Sequence, residues 1–251
     1  MAAPARVRDA ATVALLRDTE AGPEVYLLRR VVGMAFAGGM HVFPGGSVDP
    51  ADAAADLPWA GPAPGVWAQA FGCAEPLARA LVCAAVRETF EETGILLAAA
   101  RDGDVLGDVG SDDWEAERAA LEAGEQSLPE LLARRSLVLR ADLLRPLAHW
   151  TTPEVEDRRF DTRFFLARLP EGQICRDVGG EADERRWLRP ADALTSGARL
   201  MPPTVAVLRE LAAYPDVDSA LAAPRSIRAI LPRARVGADG SVELILPGDG
   251  G

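Results

Sequence analysis

The sequence predicts an α/β fold: a mixed β-sheet held between helices and interrupted by helical insertions. Three observations carry that expectation. Strand-like apolar runs at 12–16 and 25–28 flank a polar, Gly-Pro-containing stretch at 18–23, the pattern of a hairpin. A helical stretch from Glu75 to Gly94 is apolar on two faces, as a helix buried between layers must be. Runs at 143–151 and 163–169 then resume the sheet, so strands and helices alternate in the order of a layered sandwich.

Taken in order, Arg29 and Arg30 close the second strand, and they read either as exposed edge charges or as ligands of substrate phosphate. Residues 33–39 form a glycine-bearing loop expected to be mobile. His41, just before Phe43 and Pro44, reads as a structural hydrogen-bonder before it reads as a base. Residues 49–74 lack clean periodicity and are taken as an insertion, with Trp59 and Trp67 expected to pack it down. Pro76 sits where proline suits a first helical turn, and Gly94 marks the stop. A short strand is expected at 95–99 and a loop at 102–111. Helices at 114–123 and 128–139, with solvated acidic faces, make a second insertion spanning about 102–139. A helix at 204–214 opened by Pro202 and Pro203, and a closing strand at 242–246 ending at Pro247 and Gly248, complete the chain.

At 251 residues and 49% hydrophobic, the chain has material for one large domain spanning 1–251, the insertions embedded in it. A net charge of −11 argues against nucleic-acid backbones and anionic membranes as partners. All the basic side chains other than histidine are arginines. Cys73, Cys83 and Cys175 form no CxxC pair and are odd in number, which favours free structural thiols and a cytoplasmic setting. The first eight residues are charged and no long apolar core follows, so no signal peptide is expected, and no run reaches the length of a membrane span.

The stretch Arg87-Glu88-Thr89-Phe90-Glu91-Glu92-Thr93-Gly94-Ile95 organises the functional reading. Glu88, Glu91 and Glu92 are spaced i, i+3 and i+4, so a helix places three carboxylates on one patch. Leu77, Leu81 and Ala84 share nearly the azimuth of Glu88, while Val82, Val86 and Phe90 take the opposite side, so the acidic patch emerges from a core-facing stripe. At roughly 6 Å and an effective dielectric near 20, each like-charge pair costs on the order of 2–3 kcal/mol. Three such pairs rival a domain's net stability of about 5–15 kcal/mol, so something must neutralise them. Arg87 can orient one carboxylate, and a hard divalent cation, Mg²⁺ or Mn²⁺, suits the oxygens that remain.

This string resembles the second half of the Nudix box, G-x5-E-x7-R-E-U-x-E-E-x-G-U with U aliphatic. Arg87, Glu88, Glu91, Glu92, Gly94 and Ile95 match, and Thr89 stands where an aliphatic residue is usual. Phe43-Pro44-Gly45-Gly46 resembles the turn that opens the box, but 40 residues separate Gly46 from Arg87, and counting back from Arg87 puts the first Glu of the pattern at Arg79. The stretches 25–30, 41–49, 150–153 and 159–165 resemble the acyl-coenzyme A diphosphatase branch, which carries a similar insertion. The resemblance implies a Nudix α/β/α sandwich, and hydrolysis of a diphosphate linkage in a nucleoside diphosphate derivative, with coenzyme A or acyl-CoA as leading substrate. It implies metal held by Glu88, Glu91 and Glu92, with the Gly45 carbonyl a further ligand, and a homodimer.

Glu91 is assigned as general base, with Glu88 and Glu184 as rivals. Glu181 and Glu184 precede Trp187, where several family members place another acidic residue. Arg158, Arg159 and Arg163 form the densest basic cluster and are candidates, with Arg29 and Arg30, for phosphate recognition. ADP-ribose, NADH and diadenosine polyphosphates stay open as substrates. A nucleotide sensor without catalysis and an inert scaffold are the readings from other classes.

Overall fold

A computed structural model describes residues 5–33, 37–101, 103–180, 182–236 and 242–245. The chain runs β1 (Val7–Thr19), β2 (Gly22–Arg30), β3 (His41–Val42), β4 (Gly45–Ser47), a 3₁₀ turn (Pro50–Ala53), β5 (Trp59–Ala60), α1 (Pro64–Phe71) and α2 (Glu75–Thr93). It continues through β6 (Ala98–Ala100), α3 (Asp112–Glu122), α4 (Leu128–Arg134), β7 (Leu137–Arg140), a second 3₁₀ turn (Ala141–Leu143), β8 (Leu144–Thr151), β9 (Arg159–Arg168) and β10 (Ala182–Leu188). The last elements are α5 (Pro190–Thr195), α6 (Pro202–Leu211), α7 (Val217–Ala222), β11 (Ala229–Ile230), β12 (Arg233–Val236) and β13 (Val242–Ile245).

The main sheet has the order β10-β2-β1-β9-β8-β11, with β3 on β2 and β4 on β1. It is mixed: β1 runs parallel to β9 and β8 to β11, whereas β1–β2, β8–β9 and β2–β10 are antiparallel. Side chains alternate across β1, because successive Cβ atoms point to opposite faces. Ala11, Val13 and Leu15 join one buried cluster with Leu81, Val86 and Phe90 of α2 and Phe71 of α1, whereas Ala14 and Leu16 join a second with Leu208 and Leu211 of α6 and Ala220 of α7. Helices therefore cover both faces, giving the α/β/α sandwich. A small sheet, β5-β7-β6, stands apart from the main one.

The hairpin, the long helix and the acidic turn lie where the sequence predicts them. Several boundaries differ. The helix expected over 128–139 stops at Arg134, because Ser136 takes φ +55° and turns the chain into β7, whose residues 137–139 are buried. Within 49–74, α1 forms where no periodicity was legible; its buried Trp67 and Phe71 both pack on Phe165, while Trp59 is half-buried and donates its Nε1–H to the Pro62 carbonyl. The strand expected at 95–99 begins at Ala98, and the last long helix spans Pro202–Leu211. β9 begins at Arg159 rather than at Arg163, since the parallel register with β1 starts by pairing Val7 with Arg159. Residues 34–36 of the glycine loop, Asp102, Glu181, Leu246, Pro247 and Gly248 lie outside the described residues. Among the described residues no helix is long and apolar enough to cross a membrane.

Candidate active site

Helix α2 ends at Gly94 in the left-handed conformation (φ +74°), its N–H bonded to the Phe90 carbonyl. The last two turns of this helix carry Arg87, Glu88, Glu91 and Glu92. Thr89, where an apolar residue was expected, is fully buried; its hydroxyl donates to the Ala85 carbonyl at 2.7 Å, so the polar atom is satisfied within the helix.

Arg87 is the hub. Its NH1 donates to Glu88 at 2.9 Å and to both carboxylate oxygens of Glu91 at 3.1 and 3.2 Å. Its NH2 donates to the Ser47 carbonyl at 2.9 Å, tying the helix to β4. Nε and NH2 together grip the two oxygens of Asp52 at 3.1 and 3.0 Å, and Asp52 is 1% exposed. This forked contact is the strong geometry for a guanidinium and a carboxylate. Asp52 also accepts from the Asp49 N–H, as the N3 residue of the capping box that starts the first 3₁₀ turn.

Asp52 is the residue that sequence reading missed. Arg79, where the backward count placed the first acidic position of the box, instead has its guanidinium over the Trp59 ring. Counting forward from Gly46 by the spacing of the pattern lands on Asp52, an aspartate in place of glutamate. That count was the available signal.

Glu88 packs against the glycine turn so closely that a Cβ on Gly46 would stand 2.5 Å from its carboxylate, so a larger residue there would displace the Glu88 side chain. Glu92 accepts from the Gly45 N–H at 2.7 Å. The Gly45–Gly46 turn and the acidic turn are thus one unit, brought together by β4 lying against β1. Burial pushes the Glu88 carboxyl up to about 7 against the lowering effect of Arg87, and burial raises Glu91 against the same opposition. A cleft of about 300 Å³ opens beside Arg87 and Glu91, with Asp49, Asp52, Gln126 and Glu130 also in its lining.

The donor chemistry fits a hard divalent cation: carboxylates whose charge is opposed by burial, next to a glycine turn that brings backbone close. Among the described residues the acidic side chains do not converge in a group of three able to hold an ion. Glu88 and Glu91 are instead turned to Arg87, and Glu92 to the Gly45 N–H.

The other candidates lie elsewhere. Glu184 is paired with Arg29 at 2.9 Å and with Arg186, and His41 Nε2 lies 3.9 Å from it. The alternation that sends Val25 and Leu27 into the second cluster continues to Arg29 and to Glu184 opposite it, so both project on the face of the sheet away from α2. Burial lowers the His41 pKa, and its N–H backbone group bonds the Arg199 carbonyl. Arg29 also donates to Asp183 at 2.7 Å, Arg30 ends β2, and Arg158 is exposed in the β8–β9 connection.

Arg159 and Arg163 are not surface residues. They are 7% and 4% exposed, Arg159 donating to the Thr152 carbonyl and Arg163 paired with Asp9 at 2.8 Å and Asp161 at 2.6 Å. Strand register, which the sequence does not display, buries them, and their guanidiniums serve the sheet. Asp161 also accepts from His149 at 2.6 Å and Thr151 at 2.7 Å. Burial opposes its ionisation, yet these bonds and the Arg163 charge hold it down to about 2.

Comparison with known proteins agrees with this geometry. A family model described as the NUDT19 Nudix domain matches residues 67–205. Over 204 residues the chain is 27% identical to the acyl-coenzyme A diphosphatase NUDT19 of Xenopus laevis, an alignment covering 68% of this chain and 54% of that protein. The chain thus spans about half the length of that curated relative. The crystal structure of a NUDIX hydrolase from Alicyclobacillus acidocaldarius is similar with a TM-score of 0.73 and 31% identity, covering 88% of this chain and 98% of that one. Arg87 forked between Asp52 and the acidic turn, the glycine turn beside it and the sandwich that carries both are explained together: the chain belongs to the Nudix hydrolase family, in its NUDT19 Nudix-domain branch.

Proposed function

We propose that the protein is a divalent-metal-dependent hydrolase of diphosphate linkages, acting on coenzyme A or an acyl-CoA. The observation that carries this reading is the acidic turn, with Glu88 and Glu91 on Arg87 and Glu92 on the Gly45 N–H, buried against Gly45–Gly46. The substrate class is supported by the name of the Xenopus laevis relative. The protein is taken as one domain with insertions in 49–74 and 102–139, located in the cytoplasm and able to form a homodimer.

Glu88, Glu91 and Glu92, with the Gly45 carbonyl, would hold Mg²⁺ or Mn²⁺, which supplies Lewis-acid polarisation of phosphate oxygens. Glu91 accepts a proton from the attacking water, whose oxygen bonds to phosphorus as the anhydride P–O bond breaks and the second phosphate departs. Arg87 orients the Glu91 carboxylate through its two contacts to it. Arg158, exposed in the β8–β9 connection, is the cation assigned to substrate phosphates together with Arg29 and Arg30 at the end of β2, Arg29 by exchanging its pairs with Asp183 and Glu184. Arg159 and Arg163 are spent on the sheet, and Glu184 is set apart from the acidic turn.

The test is hydrolysis of coenzyme A, acyl-CoA, ADP-ribose, NADH and a diadenosine polyphosphate by the purified chain with Mg²⁺ or Mn²⁺. Cleavage of a coenzyme A species should exceed the others. Glu91→Gln and Glu92→Gln should each lower turnover by orders of magnitude with the fold intact. No turnover on any diphosphate with either metal, or near-normal rates in both variants, would overturn the proposal.

A further inference from the structure

The carbonyls of the last helical turn have no intrahelical partner and need one from outside. In α2 the Phe90 carbonyl takes the Gly94 N–H and the Thr93 carbonyl takes the Arg176 N–H. The Glu91 carbonyl takes NH1 of Arg118, at 2.8 Å, from α3 in the segment 102–139.

Arg118 is 3% exposed and is held from within its own helix, by Glu115 at 2.6 Å and Glu122 at 2.8 Å. Glu115 also binds Arg176 NH1 at 3.1 Å, joining the two groups that close the helix end. The Arg176 side chain occupies the space beside Gly94, where a Cβ would lie 2.6 Å from its Nε. Trp114 meets Phe90 edge to face, with ring centroids 6.4 Å apart, and so fixes how α3 sits on α2. Ion pairs within α3 alone would leave Arg118 at the surface, where such pairs usually reside. Its burial against the negative end of another helix, donating to a backbone carbonyl, is a charge-assisted cap.

We propose that Arg118 is a positioning residue for the reaction: by holding the Glu91 carbonyl it fixes where Glu91 and Glu92 stand against the Gly45–Gly46 turn, and this is the contribution of the segment 102–139. The inference rests on the reading of that acidic turn as the reaction centre.

The test compares Arg118→Met, Arg118→Lys and Glu115→Gln in the full chain. Turnover per folded molecule, KM, Mn²⁺ affinity by paramagnetic resonance titration, and amide exchange at Gly94 and Ile95 are measured for each. Because small misplacements of catalytic groups are costly in rate, Arg118→Met should lower kcat about tenfold or more with KM within about twofold. It should also weaken Mn²⁺ binding severalfold and speed exchange at Gly94 and Ile95. Arg118→Lys, which keeps a charged donor, should recover most of the loss, and Glu115→Gln should fall between. Were Arg118→Met too unstable to purify, the other two variants carry the test. A purely structural Arg118 would lower melting temperature but leave kcat per folded molecule and Mn²⁺ affinity unchanged, and that result overturns the proposal. A wild-type chain that cleaves no diphosphate would instead overturn the assigned activity, while the Mn²⁺ and exchange measurements would still decide the role of Arg118.

Discussion

Replacing Asp52 with Asn should cost the protein both stability and turnover. Asp52 is 1% exposed, and both its oxygens are taken by Arg87. The amide keeps the shape but loses the charge, and it turns an N–H group toward a guanidinium that is itself a donor. Breaking one side of a buried pair in this way costs about 3–5 kcal/mol, much of it from the charge left without a partner. For a chain of this size each kcal/mol moves the melting temperature by about 2–4 °C, so the expected fall is roughly 6–20 °C. Arg87 keeps its bond to the Ser47 carbonyl and its contacts to Glu88 and Glu91, so the site should loosen rather than vanish. Turnover per folded molecule should drop about ten- to a hundredfold. Calorimetry gives the first number and steady-state hydrolysis the second. A double-mutant cycle with Arg87→Met sharpens the test, because two residues sharing one contact must be non-additive. A melting temperature within about 2 °C of wild type, or strictly additive effects, would refute the assignment of Asp52 as the anchor of Arg87.

Three further outcomes are expected. Mg²⁺ or Mn²⁺ at millimolar concentration should raise the melting temperature of the wild type and do so far less in Glu92→Gln, since only binding to the folded state shifts the equilibrium; an equal rise in both would remove Glu92 from the ligand set. Arg159→Met should lower stability by about 1–3 kcal/mol through the carbonyls it abandons, with KM unchanged, and a KM several times higher would restore the guanidinium as a phosphate ligand. Asp161, with its folded pKa held down to about 2, stabilises the native state above about pH 4 and loses that contribution as pH falls toward 2. Asp161→Asn should therefore be on the order of 2 kcal/mol less stable at pH 7, with the gap to wild type closing in acid, as urea titrations at several pH values would show.

The sequence by itself determined the elements whose signal is local. The i, i+3, i+4 spacing of Glu88, Glu91 and Glu92, with Pro76 at one end and Gly94 at the other, fixed the helix, its boundaries and its acidic turn. Two apolar runs on either side of a polar, Gly-Pro-containing stretch marked the hairpin. The short helix α1 and the strand β7 escaped because Trp67, Phe71 and Leu137–Leu139 are ordered by burial against distant residues rather than by their own periodicity.

Only the tertiary structure decided which charges meet. Asp52 and Arg87 are 35 residues apart, and Arg118 reaches Glu91 from a helix 27 residues on. Both contacts depend on the path by which the chain returns to α2. The same holds for Arg159 and Arg163, which composition presents as a basic surface cluster and which the β1–β9 register turns into buried struts. A charged side chain carries no local mark of its solvation, because desolvation and pairing are properties of what is brought against it, and that is settled by packing.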